Sequence, residues 1–388
     1  MSRQLGVVFT VVFIDLLGFG IVLPLLPTYA ATFGVRPAAI GFLVTSFSLL
    51  QLVAIPFWGG LSDRIGRRPV LIVGLVGSTA SYVLFAFAGS YAALLVSRIV
   101  AGAMGATIGV AQAYIADITP PERRAHVLGM LGAAFALGFI VGPALGGALS
   151  THSYASAGVV AAILCAANAL AAVAWLPETP RHEASRRAGR VPLGPLAAPL
   201  AASLLLTAAF AVIHVTLPLF GRDVLGDSTA EMGLLFAYMG VVSAVVQGWL
   251  VGRLAPRMGE KPLAWAGGLL LAAGLALVPV ASTHLALYAT LGALSAGSAL
   301  ATPSVYAVVS RRSSAGQQGA ALGLTQTAAT LGRIVGPTTA GTLIGALGVS
   351  APFWAGALLA LLGTVAALYL PGVERGGPLA ARESRAGG

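Results

Sequence analysis

Charged residues are scarce in this sequence. They make up 9% of its 388 residues, whereas hydrophobic residues make up 57%. A soluble fold needs roughly 25% charged residues to cover its surface, so the shortage excludes a water-soluble domain and makes lipid the main solvent. Cysteine is almost absent as well. Cys165 stands alone, so no disulfide can form within the chain.

Motifs for nucleotide hydrolysis, metal binding and enzymatic catalysis are missing too. Neither half of the sequence contains a G-x-x-x-x-G-K-S/T phosphate loop, so no ATP-hydrolysing domain is expected. No H-E-x-x-H or other metal-ligand cluster appears, and no nucleophile–base pair. We therefore expect no enzyme, no metal and no cofactor, and energy supplied by an ion gradient.

Long apolar runs are what the sequence has instead. Twelve of them are long enough to cross a bilayer as helices. They lie at about 5–30, 39–61, 70–88, 91–116, 126–149, 155–176, 195–221, 230–252, 263–281, 284–309, 318–345 and 350–370.

The basic residues fall almost entirely on one side of these spans. With the N-terminus in the cytoplasm, 18 of the 22 Lys and Arg lie in cytoplasmic segments. Arg36 and Arg222 remain outside, and Arg98 and Arg333 lie within spans. The positive-inside rule then predicts a multi-pass protein of the inner (plasma) membrane with both termini cytoplasmic. The net charge of +10 thus reflects topology, and no nucleic-acid partner is expected.

Part of the sequence occurs twice. LGFIVGPALGGAL at 137–149 returns as LGRIVGPTTAGTL at 331–343, and DRIGRRP at 63–69 returns as PRMGEKP at 256–262. We predict an all-α membrane fold of twelve helices in two pseudo-symmetric six-helix bundles, the usual plan of a secondary transporter. The bundles cover 1–176 and 195–371, a cytoplasmic linker covers 177–194, and a disordered tail covers 372–388.

Four motifs carry a family resemblance. They are GGLSDRIGRR at 59–68, RIVAGAMGATIGVAQAYIAD at 98–117, LGFIVGPALGG at 137–147 and DLLGFGIVLPLLP at 15–27. Together they resemble the drug/proton antiporters of the major facilitator superfamily, including tetracycline and multidrug efflux transporters. The resemblance implies alternating access and export of an organic compound in exchange for protons.

Two ionisable residues lie deep within predicted spans. Asp15 is about 15 Å from the cytoplasmic end of the first span, where a charged carboxylate is costly. We take it as the principal proton site and a substrate contact, with a purely structural hydrogen bond as the alternative. Arg98 is about 12 Å deep in the fourth span and could pair with Asp15, directly or through water. The resemblance associates Arg98 with proton transfer, and a helix-to-helix clamp is the alternative.

The loop after the second span is expected to act as a gate. Asp63 could sit at a helix N-terminus, Gly66 permits a tight turn, and Arg64 or Arg67 could pair with Asp117. A loop that only sets topology is the alternative. The predicted gating residues are Gly59, Asp63, Arg64, Gly66, Arg67, Arg68, Asp117, Gly138, Gly142, Pro143 and Gly146.

The last four of these lie on one helix together with Gly147. Glycines spaced four residues apart permit close packing, and Pro143 introduces a kink. We expect this face to pack against a helix of the other half, as a hinge or seal.

The remaining substrate candidates lie in both halves. Arg333 takes the position of Phe139 in the second copy and invites an anionic substrate group or a distant carboxylate such as Asp15, unless it snorkels to the outer interface. His214 could titrate or only donate to a backbone carbonyl. The predicted substrate-binding set is Asp15, Phe19, Gln51, Arg98, His214, Tyr238, Gln326 and Arg333.

The sequence favours a monomeric, proton-coupled exporter of amphiphilic organic compounds whose partners are its substrate, protons and the lipid bilayer. A sugar or small-metabolite permease of the same fold is the alternative. The similar tetracycline exporters carry further acids in C-terminal spans and this chain has none there, so the first half alone is expected to hold the proton site.

Overall fold

The computed structural model describes residues 3–105, 107–179, 192–313 and 317–370. Throughout these residues the regular structure is helical, without strands. The long helices are α1 (Arg3–Val22), α2 (Leu26–Thr32), α3 (Pro37–Ile65), α4 (Arg67–Ala86), α5 (Tyr91–Met104), α6 (Thr107–Ile118), α7 (Pro121–Ser150), α8 (Tyr154–Trp175), α9 (Ala197–Ala211), α10 (Ile213–Phe220), α11 (Thr229–Val245), α12 (Val251–Met258), α13 (Glu260–Leu277), α14 (His284–Arg312), α15 (Gln318–Leu347) and α16 (Ala351–Leu368).

Eleven stretches of the described chain are long and apolar enough to cross a membrane. They agree with eleven of the twelve predicted spans. The remaining predicted span corresponds to α15. It is long enough at 30 residues but is not among the eleven apolar stretches. Its composition explains this, because α15 carries Arg333, two glutamines and six threonines.

The predicted loop at 62–69 is shorter than expected. Helix α3 continues to Ile65 and α4 begins at Arg67, so Gly66 alone makes the turn. Its φ of 107° lies where a side chain would strain the backbone. The expectation of a tight turn at Gly66 is confirmed, whereas the expected eight-residue loop is wrong.

Two spans of the first half are interrupted, and the seventh span breaks at Val212 between α9 and α10. The first breaks into α1 and α2 through a 3-10 turn at Leu23–Leu25, because Pro24 and Pro27 cannot donate the backbone hydrogen bonds of a continuous helix. The fourth breaks at Gly105, between α5 and α6. A helix broken at membrane depth needs side chains to bond the freed carbonyls.

Buried apolar residues form two main clusters. One is built largely from residues 8–176 and the other from residues 202–370. Between the two parts of the chain, α7 packs on α11 and α3 packs on α15. We call the side of the spans where α1 begins the proximal side, and the side where α2 ends the distal side.

Glycine lets the two parts approach closely on the distal side. A Cβ atom at Gly41 would lie 3.0 Å from Cα of Gly341, and one at Gly233 would lie 2.9 Å from Cα of Gly147. Backbones this close leave no room for side chains between α3 and α15 or between α7 and α11.

The predicted packing of the α7 motif against the other half is confirmed for Gly147 and Pro143 and wrong for the other three glycines. Gly138, Gly142 and Gly146 pack against α1 in their own half, where a Cβ at Gly142 would lie 2.7 Å from Cα of Gly20. Residues spaced by four share one helix face, and that face meets α1. The contact with the other half comes from Gly147 and the Pro143 carbonyl, both against Gly233. Helix α7 continues through Pro143.

The proximal segments of α3, α7 and α15, and the continuation of α11, carry glycines of a different kind. Apart from the adjacent backbone of their own helix, no atom lies within 4 Å of where their Cβ atoms would be. We call them the open glycines: Gly59 and Gly60 in α3, Gly129 and Gly132 in α7, Gly248 and Gly252 beyond the end of α11, in the π-helical turn Val246–Leu250 and in α12, and Gly319 and Gly323 in α15. The two halves therefore touch distally and stand apart proximally at these positions.

Replacing Gly142 by alanine should lower the unfolding temperature, because the added methyl group meets the α1 backbone. Overpacking of this kind costs about 1–3 kcal/mol. The matched control is Gly132→Ala on the same helix, where alanine is favoured over glycine by about 1 kcal/mol. Tryptophan fluorescence of detergent-solubilised protein during heating measures both. Equal shifts in the two variants would contradict the α1–α7 contact.

Candidate functional site

Asp15 lies on α1 and faces the third span. The Ser78 hydroxyl on α4 donates to its Oδ1 at 3.2 Å. One turn earlier on α1, the Val11 carbonyl accepts from Asn168 Nδ2 at 2.8 Å. Asp15 is thus held where α1, α4 and α8 meet, and its side chain is half-buried.

Arg98 is buried in α5, with 1% of its surface exposed. Its Nε and Nη2 atoms have no hydrogen-bond partner in the described part of the chain. No ion pair joins it to Asp15 among the described residues, so the direct pairing considered from the sequence is wrong for this conformation. Asp15 is turned toward Ser78 instead.

Tyr82 lies near both of these groups. A Cβ at Gly18, one turn after Asp15, would lie 2.9–3.1 Å from the Tyr82 ring and hydroxyl. The Tyr82 side chain is itself buried. The sequence analysis missed Ser78 and Tyr82. Their spacing of four residues within an apolar run, on one face of α4, was the available signal.

Gln51 bonds the break in the fourth span. Its Nε2 donates to the Gly105 carbonyl at 2.9 Å, and Trp58 Nε1 donates to the Ala103 carbonyl at 2.7 Å. Both side chains come from α3. They satisfy carbonyls that the interrupted helix leaves free, so Gln51 has a structural task whether or not it also contacts substrate.

The gate residues predicted around the loop after the second span lie near the proximal end of α3. Arg67 contacts Asp117 of α6 through Nε at 3.0 Å and Asp63 through Nη1 at 2.5 Å. The predicted pairing of Arg67 with Asp117 is confirmed. The predicted place of Asp63 at a helix N-terminus is wrong, because Asp63 lies in the last turn of α3. There the helix dipole disfavours an anion, and Arg67 offsets it. Arg64 is exposed.

The acid at the N-terminus of α4 is Glu178, which lies just after the sixth span. Its Oε1 accepts from the backbone amides of Arg68 at 3.3 Å and Thr179 at 3.2 Å. Arg68 Nη2 donates to the Val173 carbonyl at 2.6 Å, and the Tyr114 hydroxyl donates to the Pro177 carbonyl at 2.8 Å. The chain after the sixth span is therefore anchored to the gate, which nothing in the sequence spacing indicated.

A second polar group lies in the other half of the chain. Arg333 Nη2 donates to the Thr330 hydroxyl at 2.8 Å, and the Tyr306 hydroxyl donates to Gln326 Oε1 at 2.6 Å. Because Thr330 precedes Arg333 by one turn, the guanidinium points proximally, which is opposite to snorkelling at the distal interface. No ion pair with Asp15 or another acid is formed within the described chain.

His214 and Tyr238 pack among rings in the second half. His214 hydrogen-bonds the backbone of Ala211, which agrees with the backbone alternative considered for it. Its ring stacks at 6.3 Å on Phe236. Tyr238 meets Tyr288 edge-on with ring centroids 5.0 Å apart.

Phe19 belongs to an aromatic cluster in the first half. Its ring centroid lies 5.1 Å from that of Phe47 and 5.8 Å from that of Phe139. Five of the eight predicted substrate residues thus form three groups: Asp15 with Arg98 near Tyr82, Phe19 with its two rings, and Arg333 with Gln326 near Tyr306. A small apolar cavity bounded by Leu5, Phe9 and Ile115 contains none of them.

The described chain thus combines apolar spans with interrupted helices and with buried polar atoms that lack partners. The sequence profile of the Major Facilitator Superfamily matches residues 8–292 and again 250–387. The chain belongs to this superfamily, and it resembles the drug/proton antiporters within it.

Individual proteins similar to this chain are also membrane transporters or efflux-type resistance proteins by name. The class C tetracycline resistance protein of Escherichia coli is 33% identical over 97% of both chains, and the class E protein of the same organism is 30% identical over 87% of both. The crystal structure of the human organic anion transporter MFSD10 (TETRAN) is similar with a TM-score of 0.71 and 27% identity, covering 94% of this chain and 99% of the other. The protein is therefore a multi-pass membrane transporter of the major facilitator type.

Replacing Arg67 by glutamine should lower the unfolding temperature. Asp117, whose side chain is 18% exposed, would lose its cationic partner, and an unpaired acceptor of this kind costs about 1–3 kcal/mol. The exposed neighbour Arg64→Gln is the matched control and should leave the temperature unchanged. The same heating experiment measures both. A drop as large in the Arg64 variant would show that net charge, not the ion pair, sets the stability.

Proposed function

We propose that the protein is a proton-coupled exporter of amphiphilic organic compounds that works by alternating access, with Asp15 as its principal proton site. The observation that carries the proposal is the setting of Asp15. Among the described residues it is the only carboxylate deep within a span, and a serine rather than a cation faces it. A carboxyl group so placed exchanges a proton with whichever side of the membrane has access to it.

Arg98 and Tyr82 complete the proposed proton site. Arg98 carries a fixed positive charge with two donor nitrogens unpartnered. Tyr82 lies near both Arg98 and Asp15. Rotation of Asp15 from Ser78 toward Tyr82 would bring the carboxylate closer to the charge of Arg98. Protonation of Asp15 removes that attraction, which couples the proton to the Asp15–Ser78 contact between α1 and α4.

The architecture follows the same proposal. Residues 1–176 and 195–371 form two six-helix bundles with α15 as the eleventh of twelve spans. Most of the linker predicted at 177–194, and the tail predicted at 372–388, lie outside the described residues. The proximal side is cytoplasmic, since basic residues concentrate there. The protein then lies in the inner membrane with both termini in the cytoplasm, works as a monomer without a cofactor, and is open toward the cytoplasm in this conformation.

The relatives' names support export of organic compounds over the alternative of a sugar or metabolite permease. Tetracycline resistance proteins and an organic anion transporter are both similar to this chain along most of its length. The aromatic cluster around Phe19 also suits a substrate with an apolar body better than a sugar. The unfolding temperature in the presence of sugars and of lipophilic compounds distinguishes the two functions. An increase with sugars and none with lipophilic compounds would favour the sugar or metabolite permease.

Asp15→Asn should abolish uphill transport driven by a pH gradient while sparing exchange of substrate down its own gradient. Proteoliposomes loaded at one pH and diluted into another, with tetracycline, ethidium and a naphthyl carboxylate as probes, measure both modes. Asp223→Asn at the distal end of the seventh span, where Asp223 pairs with Arg222, is the matched control. Full pH-driven accumulation by Asp15→Asn would remove Asp15 from the proposed mechanism.

Cysteine labelling tests the proposed orientation. Cys165 is buried, so a Cys165→Ser background should fold and remain unlabelled. In that background a membrane-impermeant maleimide should label Arg36→Cys from outside intact cells, and Met258→Cys only in inverted vesicles. The opposite pattern would reverse the assignment of the two sides.

A further inference from the structure

Arg333 has no anionic partner in the second half of the chain. It lies about 22 Å along α15 from the helix's proximal end, and the described carboxylates of residues 192–370 all lie at helix ends. Asp223 pairs with Arg222 and Glu260 pairs with Arg311. Glu231 closes the capping box of α11. The charge of Arg333 is therefore not compensated by this half of the protein.

The groups around Arg333 are neutral. The Thr330 hydroxyl accepts from Arg333 and donates to the Gln326 carbonyl at 2.9 Å. The Tyr306 hydroxyl donates to the amide oxygen of Gln326, which leaves the Gln326 Nε2 hydrogens as donors. Tyr306 on α14 and His214 on α10 both lie near the guanidinium. A cation and one free amide donor are thus surrounded by groups without negative charge.

An apolar aromatic surface lies across the junction of the halves. The Thr45 hydroxyl on α3 lies 3.2 Å from the Ile334 carbonyl and 2.9 Å from the Thr338 hydroxyl. The turn of α3 that carries Phe47 is thus beside the turn of α15 that carries Arg333. Phe47 belongs to the cluster with Phe19 and Phe139, and Phe139 occupies in the first copy the position that Arg333 occupies in the second.

We propose that Arg333 binds the anionic group of the transported substrate, which makes the substrate an amphiphilic organic anion such as an aromatic carboxylate. The inference rests on the proposed transport function and narrows its substrate class. The aromatic cluster takes the apolar body, and the guanidinium with Gln326 takes the carboxylate. A planar guanidinium can bind both carboxylate oxygens at once, and such a pair is strong where water is scarce.

One consequence concerns the membrane potential. Moving an anion out while a proton moves in transfers positive charge inward in both halves of the cycle. An interior-negative potential should therefore accelerate export of the carboxylate. It should accelerate the neutral ester less, because only the proton then carries charge.

The test uses three probes with one aromatic body: 2-naphthylacetate, its methyl ester, and naphthylmethyl-trimethylammonium. Binding to the purified protein is followed by quenching of tryptophan fluorescence, and transport by exchange in proteoliposomes. The parent protein should bind and exchange the carboxylate in preference to the other two. Failure of the carboxylate to bind, or preference for the cation, would overturn the proposal.

Variants at one position separate binding from folding. Arg333→Gln should weaken carboxylate binding by about tenfold or more and leave ester binding unchanged, while Arg333→Lys should restore part of the loss. Arg333→Phe introduces the residue found at this position in the first repeat, Phe139, and serves as an apolar variant that is expected to fold. Arg253→Gln, which removes a cation stacked on Trp249 at 4.3 Å, is the matched control. Equal losses for carboxylate and ester in Arg333→Gln would contradict a role in anion recognition.

Asp15→Asn distinguishes this proposal from the proposed function. If Asp15→Asn loses pH-driven transport but binds the carboxylate as the parent does, both proposals stand. If Asp15→Asn retains pH-driven transport while Arg333→Gln discriminates carboxylate from ester, the proton site is wrong and the anion site stands. If Asp15→Asn behaves as predicted and Arg333→Gln treats the probes alike, only the anion site fails.

Discussion

Contact between backbones at glycine is the constraint on which the rest of this molecule depends. Gly41 meets Gly341, and Gly147 meets Gly233, at a distance that any side chain would prevent. In lipid no hydrophobic effect pushes helices together, so such close packing is a main source of attraction. These contacts place the Thr45 turn against α15 and bring the aromatic cluster of one half beside Arg333 of the other. The proposed substrate site between the halves depends on this distal closure.

Polar groups inside the spans fall into two kinds. Gln51, Trp58 and Asn168 bond backbone carbonyls in neighbouring helices or at the break near Gly105, and they hold the frame. Asp15, Arg98 and Arg333 have weak or incomplete partners. Leaving a buried polar atom unpaired costs free energy in any state where it stays unpaired. Groups of the second kind therefore favour a change of partner, either a proton, a rotated neighbour or a bound molecule.

The sequence was a good guide to the spans and a poor guide to their contacts. Hydropathy placed eleven spans and the charge of the loops suggested their orientation, because both depend on composition along the chain. The Arg67–Asp117 pair was predictable since both residues lie at helix ends on the same side. The partner of Gly138, Gly142 and Gly146 was not, because spacing defines a face but not what it meets. Ser78, Tyr82 and Glu178 were missed because their roles arise only when α4 lies against α1 and against the end of the sixth span.

The open glycines have a consequence beyond the conformation described. A glycine inside a helix costs about 1 kcal/mol relative to alanine unless something packs against it, and eight open glycines lie proximally in α3, α7, α15 and the continuation of α11. If the protein alternates as proposed, these helices would exchange their distal backbone contacts for proximal ones at the open glycines. No side chain would then have to be displaced to close the proximal side, and a small input such as a proton or a ligand would be enough to shift the balance.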